Sequence, residues 1–156
     1  MIVSLFLAAC LQAPSIQKLP VDLGAQVQHL AVAGLDSSKK GYLVAIEGRT
    51  ISMSQVKDGP QIEIPGEATL WTLADLDDNG TDEFVILVDG NTLHKLELVE
   101  NAFVFSAPLA SKLGGMPPRG CNPADFLYDL NGDRLPDLSL PVGDSIRLWM
   151  GGPDGF

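Results

Sequence analysis

Asp75-Leu76-Asp77-Asp78-Asn79-Gly80-Thr81-Asp82-Glu83-Phe84 is the stretch on which the fold turns. It places five acidic side chains in ten residues, between two apolar runs. Oxygen donors stand at alternate positions: Asp75, Asp77, Asn79, the carbonyl of Thr81, and Glu83. A hard cation such as Ca²⁺ takes about six to eight oxygen ligands at about 2.3–2.6 Å. A loop wrapped around such an ion presents every second residue to it. Without the ion, so many carboxylates in one tight turn repel one another. The stretch reads as a Ca²⁺ loop.

The pattern recurs. Asp129-Leu130-Asn131-Gly132-Asp133-Arg134-Leu135-Pro136-Asp137-Leu138 sets oxygens at the same offsets: Asp129, Asn131, Asp133, the carbonyl of Leu135, and Asp137. Arg134 stands where the first loop has Gly80, which makes for a less relaxed turn. In both copies an apolar residue follows the last donor, and a strand-like run follows that. An eroded copy lies upstream at 34–43, where only Asp36 and Ser38 qualify as ligands. There Lys39 or Lys40 is placed to put an ammonium where an ion would sit. The three copies start 41 and 54 residues apart, the spacing of a repeat architecture.

The bulk numbers agree with many short strands. The chain has 156 residues, enough for one domain with a real core. It is 46% hydrophobic, with 16 Gly and 11 Pro, which suits strands and turns better than helices. The net charge of −10 argues against nucleic acid as a partner, since that needs basic patches. Much of the acid lies in the two loops, so the charge speaks of cations first.

Strand signals divide 25–156 into three units, about 26–67, 68–109 and 110–156. The first holds runs at 28–35, 42–47, 50–56 and 61–64. The second has runs at 69–74, 83–88, 92–99 and 102–107, with Asp89-Gly90-Asn91 as a hairpin turn. Leu93, Leu96 and Leu98 alternate with polar residues apart from one slip. The third unit has 124–128, 138–142 and 145–150, and no fourth run. Pro141 inside a run points to a bulge or an edge.

An acidic loop between the first two strands of a four-stranded unit, repetition of that unit, and the closing turn Gly151-Gly152-Pro153-Asp154-Gly155-Phe156 together resemble the FG-GAP/VCBS repeat family. The resemblance covers about 26–156. It implies an all-β fold: a partial β-propeller of about three four-stranded antiparallel blades, the last incomplete. It also implies Ca²⁺ at each intact loop, pinning the turn between the first two strands of a blade. Propellers close with about four to eight blades. Further blades are therefore expected from a longer chain or from other subunits.

The first nine residues are apolar and end Leu7-Ala8-Ala9-Cys10. That ending resembles the lipobox of bacterial lipoproteins, which implies a signal segment at 1–9, a lipidated Cys10 and a tether at 10–24. The other reading is a hydrophobic first strand. The run is too short to span a membrane as a helix. Cys121 is then either a buried thiol, a partner for Cys10, or a partner for something outside the chain.

Other chemistry finds little support. An EF-hand needs a bidentate Glu at position 12 of its loop, and Ile86 and Leu140 stand there. Gly143-Asp144-Ser145 resembles the GDSL esterase block, but no His follows His94. There is no P-loop, no G-x-S-x-G and no zinc spacing. His29 and His94 read as strand-surface residues, and Trp71, Trp149, Phe84 and Phe126 as packing between blades. The expectation is a non-catalytic, Ca²⁺-stabilised segment of an exported cell-envelope protein. It would be lipid-anchored at Cys10 or else secreted, and would bind a protein or glycan or act as a scaffold. The alternatives are an accessory module of a larger exported enzyme, or a truncated remnant.

Overall fold

The computed structural model describes residues 27–38, 40–53, 59–114, 122–152 and 156. Cys10, the 1–9 and 10–24 segments, Lys39, Cys121 and residues 153–155 of the closing turn lie outside these. The described chain is all-β, with no helix.

The first four strands form an antiparallel meander. β1 (His29–Gly34), β2 (Gly41–Glu47), β3 (Thr50–Met53) and β4 (Gln61–Glu63) pair in sequence order. A second meander follows: β5 (Ala68–Ala74), β6 (Glu83–Val88), β7 (Thr92–Val99) and β8 (Ala102–Phe105). Between β6 and β7, Asp89 and Gly90 have φ of 52° and 62°, as a type I′ hairpin turn requires. The third set is β10 (Leu127–Tyr128), β11 (Asp137–Val142) and β12 (Ser145–Trp149), again antiparallel.

Parallel links join the first two meanders and the chain that follows. Gly34 at the end of β1 pairs with Glu83 at the start of β6. β9 (Asn122–Pro123) pairs with β5. The nine strands β1 to β9 thereby form one mixed sheet, barrel-like and nearly closed, beside the three-stranded sheet.

The expected strand at 124–128 is split. Its leading part hydrogen-bonds to β5, and Ala124 N–H donates to the Trp71 carbonyl at 2.9 Å. Its trailing part turns to β11, where the Phe126 carbonyl accepts from Ser139 N–H at 2.8 Å. One stretch of chain serves two partners, and it bends between them. Pro141 pairs with Ile146 without a bulge, and β10 does not reach it. β11 is thus a local edge at the one residue that lacks an N–H. The expected run at 50–56 is strand through Met53; positions 54–58 lie outside the described residues.

Two apolar clusters hold the sheets. The first joins Val44, Ile46 and Ile51 of one meander to Trp71, Phe84, Ile86 and Leu96 of the next. The second joins Val85, Leu87 and Leu93 to Phe126, Leu127, Leu138 and Leu140. β6 is buried along its whole length because its alternating side chains feed both clusters. The slip in β7 has the same cause. Leu93 faces the second cluster, whereas Leu96 and Leu98 face the first.

Candidate metal centre

The first acidic loop leaves β5 at Ala74 and enters β6 at Glu83. Its backbone is wound around its own carboxylates. Asp75 accepts from Asn79 N–H at 2.9 Å and from Gly80 N–H at 2.6 Å. Glu83 Oε2 accepts from Leu76 N–H at 2.8 Å, which ties the last donor back to the first turn. Asp78 and Gly80 take positive φ, 54° and 84°. This winding brings Asp75, Asp77 and Glu83 together, with one carboxylate oxygen from each within 4.8 Å of the others.

The electrostatics of that cluster are unfavourable by themselves. Glu83 is buried, and burial pushes its carboxyl above the ordinary range. The Asp77 and Asp75 charges push the same way, while the Leu76 hydrogen bond and Lys95 oppose them. The Asp77 carboxylate accepts no hydrogen bond among the described residues. Asn79 Oδ1 is buried and also has no partner. A buried acceptor left unpaired costs about 1–3 kcal/mol. Asp77, Asn79, Thr81 and Glu83 line a cleft of about 300 Å³ opposite Gly34, Asp36 and Ser37. The set is oxygen-only, acidic and short of donors, which is what a hard divalent cation supplies for.

The second loop repeats the winding but uses its oxygens differently. Asp129 accepts from Gly132 and Arg134 N–H at 2.6 and 2.9 Å, and Asp137 Oδ2 from Leu130 N–H at 2.8 Å. Gly132 and Arg134 have φ of 81° and 72°, at the positions equivalent to Asp78 and Gly80. The two loops share one backbone path, with the glycine moved by two residues. Here, however, Asn131 Nδ2 donates to Asp133 Oδ2, and Asn131 Oδ1 accepts from Asp133 N–H, both at 2.9 Å. Asp133 Oδ1 accepts from Leu135 N–H. Asp137 is fully buried, and its other oxygen accepts from Gly151 N–H at 2.8 Å. The described residues of this loop form no convergent carboxylate group like that of the first.

The eroded copy has its own solution. The Tyr42 hydroxyl donates to Asp36 Oδ2, and Ser38 N–H donates to Oδ1 at 2.8 Å. The Ser38 and Tyr42 hydrogen bonds hold the Asp36 carboxyl below the usual range, with a small contribution from Lys40. The Asp36 contact raises the Tyr42 phenol. Of the two expected ammonium partners, Lys40 acts on Asp36 only through its charge and Lys39 lies outside the described residues, and a phenol supplies the direct contact. Tyr42 stands eight residues after Gly34, the offset that places Glu83 after Asp75 and Asp137 after Asp129. That offset was the signal that could have identified it.

Two close approaches were not legible from spacing. A Cβ at Gly34 would collide with the Thr81 methyl, so the first meander abuts the first acidic loop there. A Cβ at Gly151 would collide with the Pro136 carbonyl of the second loop. Arg134 also reaches across to Asp78 at 3.7 Å, an exposed pair that contributes little. His29 and His94 do lie on strands, as expected, but half-buried rather than on the surface, because their rings pack edge-on against Trp71 and Phe105.

No family model, curated protein or solved structure matches the chain.

Proposed function

We propose that the loop at 75–83 binds Ca²⁺ and that the chain is a non-catalytic, Ca²⁺-stabilised segment of a β-propeller. The observation that carries the metal is the convergence of Asp75, Asp77 and Glu83 beside a buried, unpartnered Asn79 Oδ1. These four side chains and the Thr81 carbonyl are the ligands. The ion supplies positive charge and acceptor satisfaction, not catalysis. The residues of the 129–137 loop are the second candidate set: Asp129, Asn131, Asp133, the Leu135 carbonyl and Asp137. Binding there must displace the Asn131–Asp133 hydrogen bonds, so its affinity is the weaker of the two.

The propeller reading is supported by the antiparallel meander pairing and by the two apolar clusters that pack each meander on the next. Each acidic loop joins the first two strands of its meander, where FG-GAP/VCBS-like blades carry theirs. Export and a lipid anchor at Cys10 rest on the Leu7–Cys10 motif alone. The role follows as scaffolding, or recognition of a protein or glycan by loops on a rigid frame.

Thermal melting with Ca²⁺ and with chelator tests the metal. At 100 times Kd one site adds about 2.7 kcal/mol of stability. Asp77→Ala is expected to abolish that shift while leaving the chelated protein as stable as the parent or more so, because it also removes repulsion. A melting point indifferent to millimolar Ca²⁺ removes the proposal.

A further inference from the structure

Two face-to-face contacts join the three meanders in succession, and register identifies the equivalent positions. Ile51, Leu93 and Ile146 each pair across to the second strand of their own meander, with Ile46, Leu87 and Pro141 respectively. Ile51 and Leu93 are 0% exposed, covered by the following meander, whereas Ile146 is 71% exposed. Leu35 and Leu130 hold equivalent places one residue into their loops, and they are 3% and 51% exposed. Leu148, Met150 and Tyr128 add to the same uncovered surface. Five of the nine large apolar side chains exposed among the described residues belong to this third unit.

The opposite half of the contact is displayed at the other end. Trp71 and Leu73 pair with Ile86 and Phe84, and with them seat the second meander on the first. Leu30 and Val32, paired with Ala45 and Leu43, hold those register positions in the first meander. Both are exposed. The molecule therefore shows one open copy of each side of a contact that it makes internally.

We propose that a second copy of this chain stacks head to tail, its Leu30–Val32 face on the Tyr128–Ile146–Leu148 face of the first. The inference rests on the stacked-blade reading above and not on the metal. Two copies of three meanders each fall within the four to eight blades with which propellers close, and a heterologous contact forms a closed assembly only when its rotation closes.

Sedimentation velocity of the full chain over a wide concentration range is expected to show a reversible closed dimer. Ile146→Asp and Val32→Asp, both at exposed positions, should each weaken it by at least about tenfold without lowering the melting point measured at dilutions where the parent is a monomer. In a head-to-tail pair, each variant spoils both contacts of its own dimer. Mixing the two variants leaves one contact wholly native, so dimers should return on mixing. A monomer at every concentration, an open polymer, or a dimer broken by Ile146→Asp alone overturns the proposal. A monomer whose melting point still rises with Ca²⁺ overturns only this inference. Association without a Ca²⁺ shift overturns only the metal.

Discussion

At the scale of single residues, Glu83 carries the clearest conflict. Its folded-state carboxyl sits above its ordinary value of 4.5, so the folded chain holds that proton more tightly than the unfolded chain does. The resulting penalty is full above the raised value and disappears as pH falls below the ordinary one. In chelator, acidification through that window should therefore add stability, and Glu83→Gln should remove that part of the slope. With Ca²⁺ present the sign reverses, because protons then compete with the ion for the same oxygens. Urea titrations at several pH values, parent against variant, read both slopes. Arg134 is a second conflict. Its φ of 72° matches that of Gly80, but an L side chain in this region costs about 1–2 kcal/mol. Arg134→Gly should raise the urea midpoint by about 0.5–1 kcal/mol equivalent, since glycine's extra unfolded-state entropy offsets part of the gain. Loss of the exposed Asp78 ion pair should not reverse that sign.

At the scale of elements, the three loops show what spacing can and cannot reveal. The strand-like runs that flank 75–83 and 129–137 were enough to place both loops between strands, and the absence of an acidic twelfth position was enough to set the EF-hand aside. The strand runs of the second unit came out at 83–88 and 92–99, as the continuous apolar run of Glu83–Val88 and the alternation of Thr92–Val99 suggested. The accessibility of the oxygens was not legible. Loop one orders its middle donors Asp77 then Asn79, and loop two orders them Asn131 then Asp133. That exchange lets the Asn131 amide and the Asp133 carboxylate satisfy each other, while Asn79 Oδ1 is stranded. It is a matter of rotamer and donor direction, which no offset encodes. Gly151 on Pro136 is a contact between distant segments and equally invisible. The upstream copy gives the cleanest test of the loop series. Tyr42→Phe removes only the hydroxyl that Asp36 accepts. The expected loss is a small but measurable drop in the urea midpoint, small because the Asp36 carboxylate is exposed. The loss should be equal with Ca²⁺ and with chelator. A loss that appears only in Ca²⁺ would put an ion in this loop as well.

At the scale of the whole molecule, β6 is the seam. Phe84, Ile86 and Val88 pack into the first cluster, and Val85 and Leu87 into the second, so neither cluster can open without exposing the same strand. Two clusters that share a fully buried strand should unfold in one transition, in contrast to repeats whose interfaces open independently of one another. The tryptophans allow this to be watched from both sides. Trp71 stacks on Phe84 at 5.2 Å inside the first cluster, and Trp149 packs against the second. Single-tryptophan proteins, made with Trp149→Phe or Trp71→Phe, therefore report one cluster each. Ile86→Val should cost about 0.5–1.5 kcal/mol and Leu87→Ala about 2–5 kcal/mol. In the Trp149→Phe background Leu87→Ala should lower the Trp71 midpoint, although Leu87 faces away from Trp71. In the Trp71→Phe background Ile86→Val should likewise lower the Trp149 midpoint. Each fluorescence midpoint should coincide with that of backbone circular dichroism. Midpoints that split, with each substitution felt only on its own face, would show that the parallel links and β6 do not couple the meanders. The chain would then have to be treated as separable blades.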